Sequence, residues 1–169
     1  MLSCYYDNNS PHGRKVLQHS TFNPISFAGY VGIFESPNNQ WFVIESKHSG
    51  LVLEIDGNKC GSRVTTTQKK GGDRQLWTWR YNTLVSKSGY ALDMINQNRA
   101  TEIRVISWDH FGGQTQQWRM ENDKIISVLN GYAIDIKDGN REANADIILW
   151  PIRYGCINSQ SWQLVLFYD

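Results

Sequence analysis

Apolar and polar positions alternate in short bursts along this chain, and the bursts come in a fixed order. From Trp41 the segments WFVIES, LVLEI, RVTTTQ and QLWTW each show the period-two alternation or short apolar run of a strand, with Gly, Asn, Asp and Ser concentrated between them. The same four-part order returns as NTLVS, GYALDM, EIRVISW and QQWRM between Tyr81 and Met120. It returns again as KIISV, GYAIDI, DIILW and SWQLVLF from Glu121 onward. No stretch keeps the three- and four-residue apolar spacing of a long amphipathic helix. The pattern predicts twelve short strands in three like units.

Two marks set the phase of this repeat. A glycine, two spacers, an aliphatic residue and a carboxylate occur as Gly50–Glu54, Gly89–Asp93 and Gly131–Asp135. Downstream stand Gln75-Leu76-Trp77, Gln116-Gln117-Trp118 and Gln160-Ser161-Trp162, at 21, 23 and 25 residues from the carboxylate (75 minus 54, 116 minus 93, 160 minus 135). A period of about 40 residues marks one supersecondary unit used three times. Each unit is too small to bury its own apolar face, so three must close into a barrel capped at one end by hairpins, which removes free sheet edges. Alternation points Leu53, Leu92 and Ile134 inward and the carboxylates of Glu54, Asp93 and Asp135 to the other face. Trp77, Trp118 and Trp162 are expected in the core, one per lobe.

Residues 1–40 stand outside the repeat and read as an N-terminal extension packed on the domain, or as an oligomerisation or partner-binding arm. Phe22 to Glu35 carries enough aromatic and β-branched residues for one or two strands, and Ser36-Pro37-Asn38-Asn39 supplies a turn. The domain is expected at 41–169, with lobes near 41–80, 81–120 and 121–169.

Composition narrows the function. The 169 residues suit one domain. A net charge of +1 gives no electrostatic footprint for nucleic acid. Three cysteines, Cys4, Cys60 and Cys156, have no metal-type spacing and are expected as reduced thiols, which suits a cytoplasmic location. The N-terminal stretch lacks the apolar region of a signal peptide, and no apolar run approaches the roughly 20 residues of a membrane span. His12, His19, His48 and His110 are scattered, and G-x-S-x-G, H-E-x-x-H and glycine-rich phosphate loops are missing. Glu54 and Asp56 could mimic a calcium or catalytic pair, but a solvated face explains them. No catalysis, cofactor or metal is expected.

The three Gln-x-Trp motifs, each preceded by a Gly-x-x-aliphatic-carboxylate strand, resemble the ricin B-type β-trefoil lectins over about residues 41 to 169. The resemblance implies an all-β trefoil with a pseudo-threefold axis and a sugar-binding role without catalysis. In that family a competent lobe holds a sugar, commonly galactose or N-acetylgalactosamine, with the carboxylate, an aromatic residue of the third strand and a polar residue beside the Gln. On that basis lobe two offers Asp93, Ile106, Trp108, Thr115 and Gln116, and lobe three offers Asp135, Ile148, Trp150, Ser159 and Gln160. The carboxylate-to-aromatic interval is 15 in both (108 minus 93, 150 minus 135). Lobe one departs, with Glu54, Thr67 in place of the aromatic, and Arg74 before Gln75, and is expected to be degenerate. Thr115 and Ser159 stand where the family usually has Asn, which bears on galactose preference.

Sugar chemistry agrees with this choice of residues. A pyranose presents a C–H patch that an aromatic plane covers, and neighbouring hydroxyls that a carboxylate accepts. The implied partners are glycans of glycoproteins or glycolipids, with a homodimer allowed. A trefoil protease inhibitor or protein-interaction module acting through its loops is the rival reading, and it would not require the repeated Asp and Trp.

Overall fold

The computed structural model describes residues 40–95 and 102–168; the strands expected between Phe22 and Glu35 lie outside them. All twelve repeat strands form. They are β1 (Phe42–Ser46), β2 (Val52–Asp56), β3 (Arg63–Thr67), β4 (Trp77–Arg80), β5 (Thr83–Ser86), β6 (Tyr90–Met94), β7 (Ile103–Asp109), β8 (Trp118–Glu121), β9 (Lys124–Ser127), β10 (Ala133–Ile136), β11 (Ile147–Trp150) and β12 (Trp162–Leu166). Among the described residues, helical structure is limited to 3-10 turns at Gln114–Gln116 and Lys137–Gly139, and no helix is long and apolar enough to cross a membrane.

Equivalent strands pair equivalently in every lobe. The second and third strands form an antiparallel hairpin in which Glu54 faces Thr65, Asp93 faces Ile106 and Asp135 faces Ile148. The third strands meet one another: Arg63 pairs with Ile106, Arg104 pairs with Ile148, and Thr65 bridges to Asp146. The last strand of each lobe pairs with the first strand of the next, through Trp77–Ser86, Trp118–Ser127 and, closing the ring, Trp162–Ser46. The last strand of each lobe is thereby matched to a strand of its neighbour, which limits the free edges that an open sheet would carry. This is the β-trefoil.

Each Gln-x-Trp tryptophan is fully buried. Its indole N–H donates to the carbonyl just before the carboxylate: Trp77 to Leu53 at 3.2 Å, Trp118 to Leu92 at 3.0 Å and Trp162 to Ile134 at 3.2 Å. Leu53, Leu92 and Ile134 turn inward as alternation requires, alongside Phe42, Ile44 and Leu164. Gly50, Gly89 and Gly131 sit at φ +74°, +98° and +75°, where a Cβ would have open space. Backbone conformation therefore demands glycine there, at a cost to other L-residues of about 1–2 kcal/mol.

Asp93 and Asp135 face away from the inward aliphatics and are buried there, 5% and 2% exposed. One expectation needs correction. Of the cysteines, Cys60 is free, but Cys156 is disulfide-bonded, so the reduced-thiol expectation fails there.

Trp118→Ala is expected to destabilise the fold by about 3–5 kcal/mol, and Trp118→Phe, which keeps most of the volume but loses the donor, by distinctly less. Urea unfolding followed by circular dichroism measures both.

Candidate functional site

The glutamine of each Gln-x-Trp is a hub of hydrogen bonds. Gln75 Nε2 donates to Glu54 Oε2 at 2.6 Å, Gln116 Nε2 to Asp93 Oδ2 at 2.9 Å, and Gln160 Nε2 to Asp135 Oδ2 at 3.1 Å. The same amide nitrogen donates to the carbonyl of Gln68, Asp109 or Pro151. The amide oxygen accepts the backbone N–H of Lys70, Phe111 or Arg153. One side chain thus fixes the carboxylate and pins the loop beyond the third strand. A buried carboxylate needs such donors, since each unmade bond to a charged group costs more than a neutral one.

These bonds make Lys70, Phe111 and Arg153 equivalent positions, which the sequence reading missed. Each lies three residues past the third-strand position of Thr67, Trp108 or Trp150 (70 minus 67, 111 minus 108, 153 minus 150). The offset is regular. The residue types are a cation, an aromatic and a cation, so no pattern of types marks it.

In lobe two, Ile106 faces Asp93 across the hairpin, and Trp108 follows two residues on along the same face, 43% exposed. Asp93 Oδ1 accepts the Met94 N–H at 2.7 Å. Asp93 makes no ion pair among the described residues. Thr115 lies half-buried in the 3-10 turn that ends at Gln116. The exposed Phe111 ring lies over Gly113, where a side chain would collide with it. Trp108 borders the loop of lobe one, since a Cβ on Gly61 would stand 3.5 Å from its Cζ3.

Lobe three repeats the frame with Ile148 facing Asp135, Trp150 42% exposed, and Ser159 and Gln160 buried. Its carboxylate is occupied. Arg153 Nη2 donates to Asp135 Oδ2, and to Ser159 Oγ at 2.9 Å. Asp135 Oδ1 is buried with no hydrogen-bond partner among the described residues.

Lobe one is filled by its own side chains. Glu54 Oε2 accepts the Thr67 hydroxyl at 2.5 Å, and Arg74 Nη2 lies 3.5 Å from Oε1. Asp56 turns instead to Arg63, 3.6 Å away, so Glu54 and Asp56 do not share a ligand. Among the described residues no three His, Cys, Asp or Glu side chains converge as metal ligands would.

Lobe one also brings Cys60 to the border of lobe two, where the Gly61 N–H donates to the Ser107 carbonyl at 2.7 Å. The Cys60 thiol is pushed above its ordinary pKa, first by its hydrogen bond to the Asp109 carboxylate and then by desolvation. A thiol kept protonated is a poor nucleophile.

The family model of the ricin-type beta-trefoil lectin domain matches residues 40–162, and the chain belongs to that family. Solved structures agree on the fold. A designed threefold-symmetric protein, ThreeFoil, is 26% identical, with a TM-score of 0.64 over 74% of this chain and 97% of its own. The C-half of the earthworm R-type lectin, solved in complex with GalNAc, is 23% identical, with a TM-score of 0.64 over 76% and 99%. The ricin B-like lectin of Macrolepiota procera, solved with lactose, is 19% identical, with a TM-score of 0.64 over 78% and 98%. Among curated proteins none matches the chain significantly by sequence.

Because only the thiolate reacts, iodoacetamide is expected to modify Cys60 slowly at pH 8, and Asp109→Ala to accelerate it. Peptide mass spectrometry at Cys60 across a pH series reads the effect as a midpoint moving down in the variant.

Proposed function

We propose that this protein is a non-catalytic lectin that recognises terminal sugars on glycoproteins or glycolipids, with lobe two as the site open to a neutral sugar. The observation that carries the reading is Asp93, fixed by Gln116, with no cation on it among the described residues and a half-exposed Trp108 on the same hairpin. The sugar lays its C–H face on Trp108 and donates neighbouring hydroxyls to the Asp93 carboxylate, with the Thr115 hydroxyl at the rim. An epimer with one hydroxyl turned away leaves a carboxylate oxygen unpaired, at about 1–3 kcal/mol, and this is the source of specificity. Galactose and N-acetylgalactosamine are the favoured class, supported by the earthworm and Macrolepiota lectins, whose structures were solved with GalNAc and lactose.

The affinity of one shallow site is set near millimolar, about 4 kcal/mol. Lobe three retains Asp135 and Trp150 and serves as a second site, giving avidity on clustered glycans of about 10²–10⁴ where both engage.

On a printed glycan array the labelled protein is expected to mark a coherent group of glycans. Asp93→Ala and Trp108→Ala should each weaken the neutral-sugar signal about tenfold or more, with folding checked by circular dichroism. Silence from the folded wild-type protein would overturn the reading and turn attention to protease inhibition or a protein partner.

A further inference from the structure

Lobes two and three share a frame and differ at one equivalent position. The backbone N–H of Phe111 and that of Arg153 make the same bond to the hub glutamine, so the two side chains start from the same place. In lobe two that side chain is an exposed aromatic ring. In lobe three it is a guanidinium that reaches back to the carboxylate. Arg153 Nη2 commits its hydrogens to Asp135 and Ser159, while Nε and Nη1 make no hydrogen bond among the described residues and the side chain is 49% exposed. The guanidinium therefore turns unused donors outward. Asp135 Oδ2 already accepts both Arg153 and Gln160, so it has no room for the hydroxyl pair that Asp93 can take. Asp135 Oδ1 is enclosed and has no hydrogen-bond partner among the described residues, so it is the oxygen of this carboxylate still to be satisfied.

We propose that lobe three takes glycans bearing an anionic substituent, a carboxylate or a sulfate ester, beside a free ring hydroxyl, with Arg153 as the determinant. The inference rests on the carbohydrate reading above. The anion receives charge-assisted hydrogen bonds from Arg153, whose planar fork suits both groups. As it draws the guanidinium outward, the neighbouring hydroxyl gains Asp135 Oδ1. A neutral sugar offers the guanidinium no comparable partner. Lys70 occupies the corresponding place in lobe one, but Glu54 there is saturated by Thr67, Gln75 and Arg74, and the aromatic platform is missing.

The test uses an array of matched glycans, each printed neutral, with one carboxylate, and with one sulfate, probed with Asp93→Ala so that lobe two is silent; Trp108→Ala serves if that variant fails to fold. The expected result is a preference of about tenfold or more for acidic members, lost on adding Arg153→Gln, partly kept by Arg153→Lys, and weakened as NaCl rises to about 0.5 M. Binding confined to carboxylates or to sulfates supports the proposal and names the source. Equal binding of neutral and acidic members overturns it, as does a gain of neutral binding in Arg153→Gln with acidic binding unchanged, which would make Arg153 a plug. Silence of lobe three in a protein whose wild type still binds neutral glycans overturns this inference and leaves the lectin reading standing. Silence of the folded wild type on every glycan overturns both.

Discussion

Every lobe hangs on one indole hydrogen bond. The buried tryptophan donates to the carbonyl immediately before the carboxylate, so the residue that fills the core also holds the strand from which the carboxylate projects. Two positions earlier, the glutamine seizes the carboxylate itself. Loss of the tryptophan would therefore empty the core and release the carboxylate-bearing strand together. Core packing and site geometry share one motif, which explains why they recur at the same phase three times.

Divergence is confined to what the motif does not hold. The strand pairings and the glutamine bonds repeat in all three lobes, whereas the side chains meeting the carboxylate do not. Thr67 and Arg74 close lobe one, Arg153 occupies lobe three, and Asp93 in lobe two is met only by Gln116 and the Met94 N–H among the described residues. A scaffold fixed by main-chain bonds and a buried indole tolerates such changes at low cost, because these side chains contribute little to the core.

Much of the fold was legible in the sequence. Period-two alternation and the Gln-x-Trp spacing located all twelve strands and the inward aliphatics, since both are set by backbone geometry local to each strand. The burial of Asp93 and Asp135 was not legible, because alternation states which way a side chain points and not what lies over it. Arg153 was missed for a related reason. It belongs to a loop, and although it stands as far past its carboxylate as Phe111 does (153 minus 135, 111 minus 93), no pattern of residue types marks the position. Phe111 escaped because its equivalence to Arg153 lies in a backbone N–H rather than in a side-chain type. The disulfide at Cys156 was not legible because an odd number of cysteines does not say which of them is paired.

The β1–β12 ladder gives the ring a temporal character. Phe42 pairs with Leu166 across 124 positions (166 minus 42), the longest separation among the strand pairings of the described residues. During synthesis β1 emerges before the other eleven strands and its ladder partner after them, so it waits while all three lobes are made with five residues of backbone unmatched on that side. Native pairing of such distant segments pays its loop-closure entropy before any contact rewards it. The symmetry that makes the three lobes interchangeable in space thus leaves them unequal in time, with the first dependent on the third for its last neighbour.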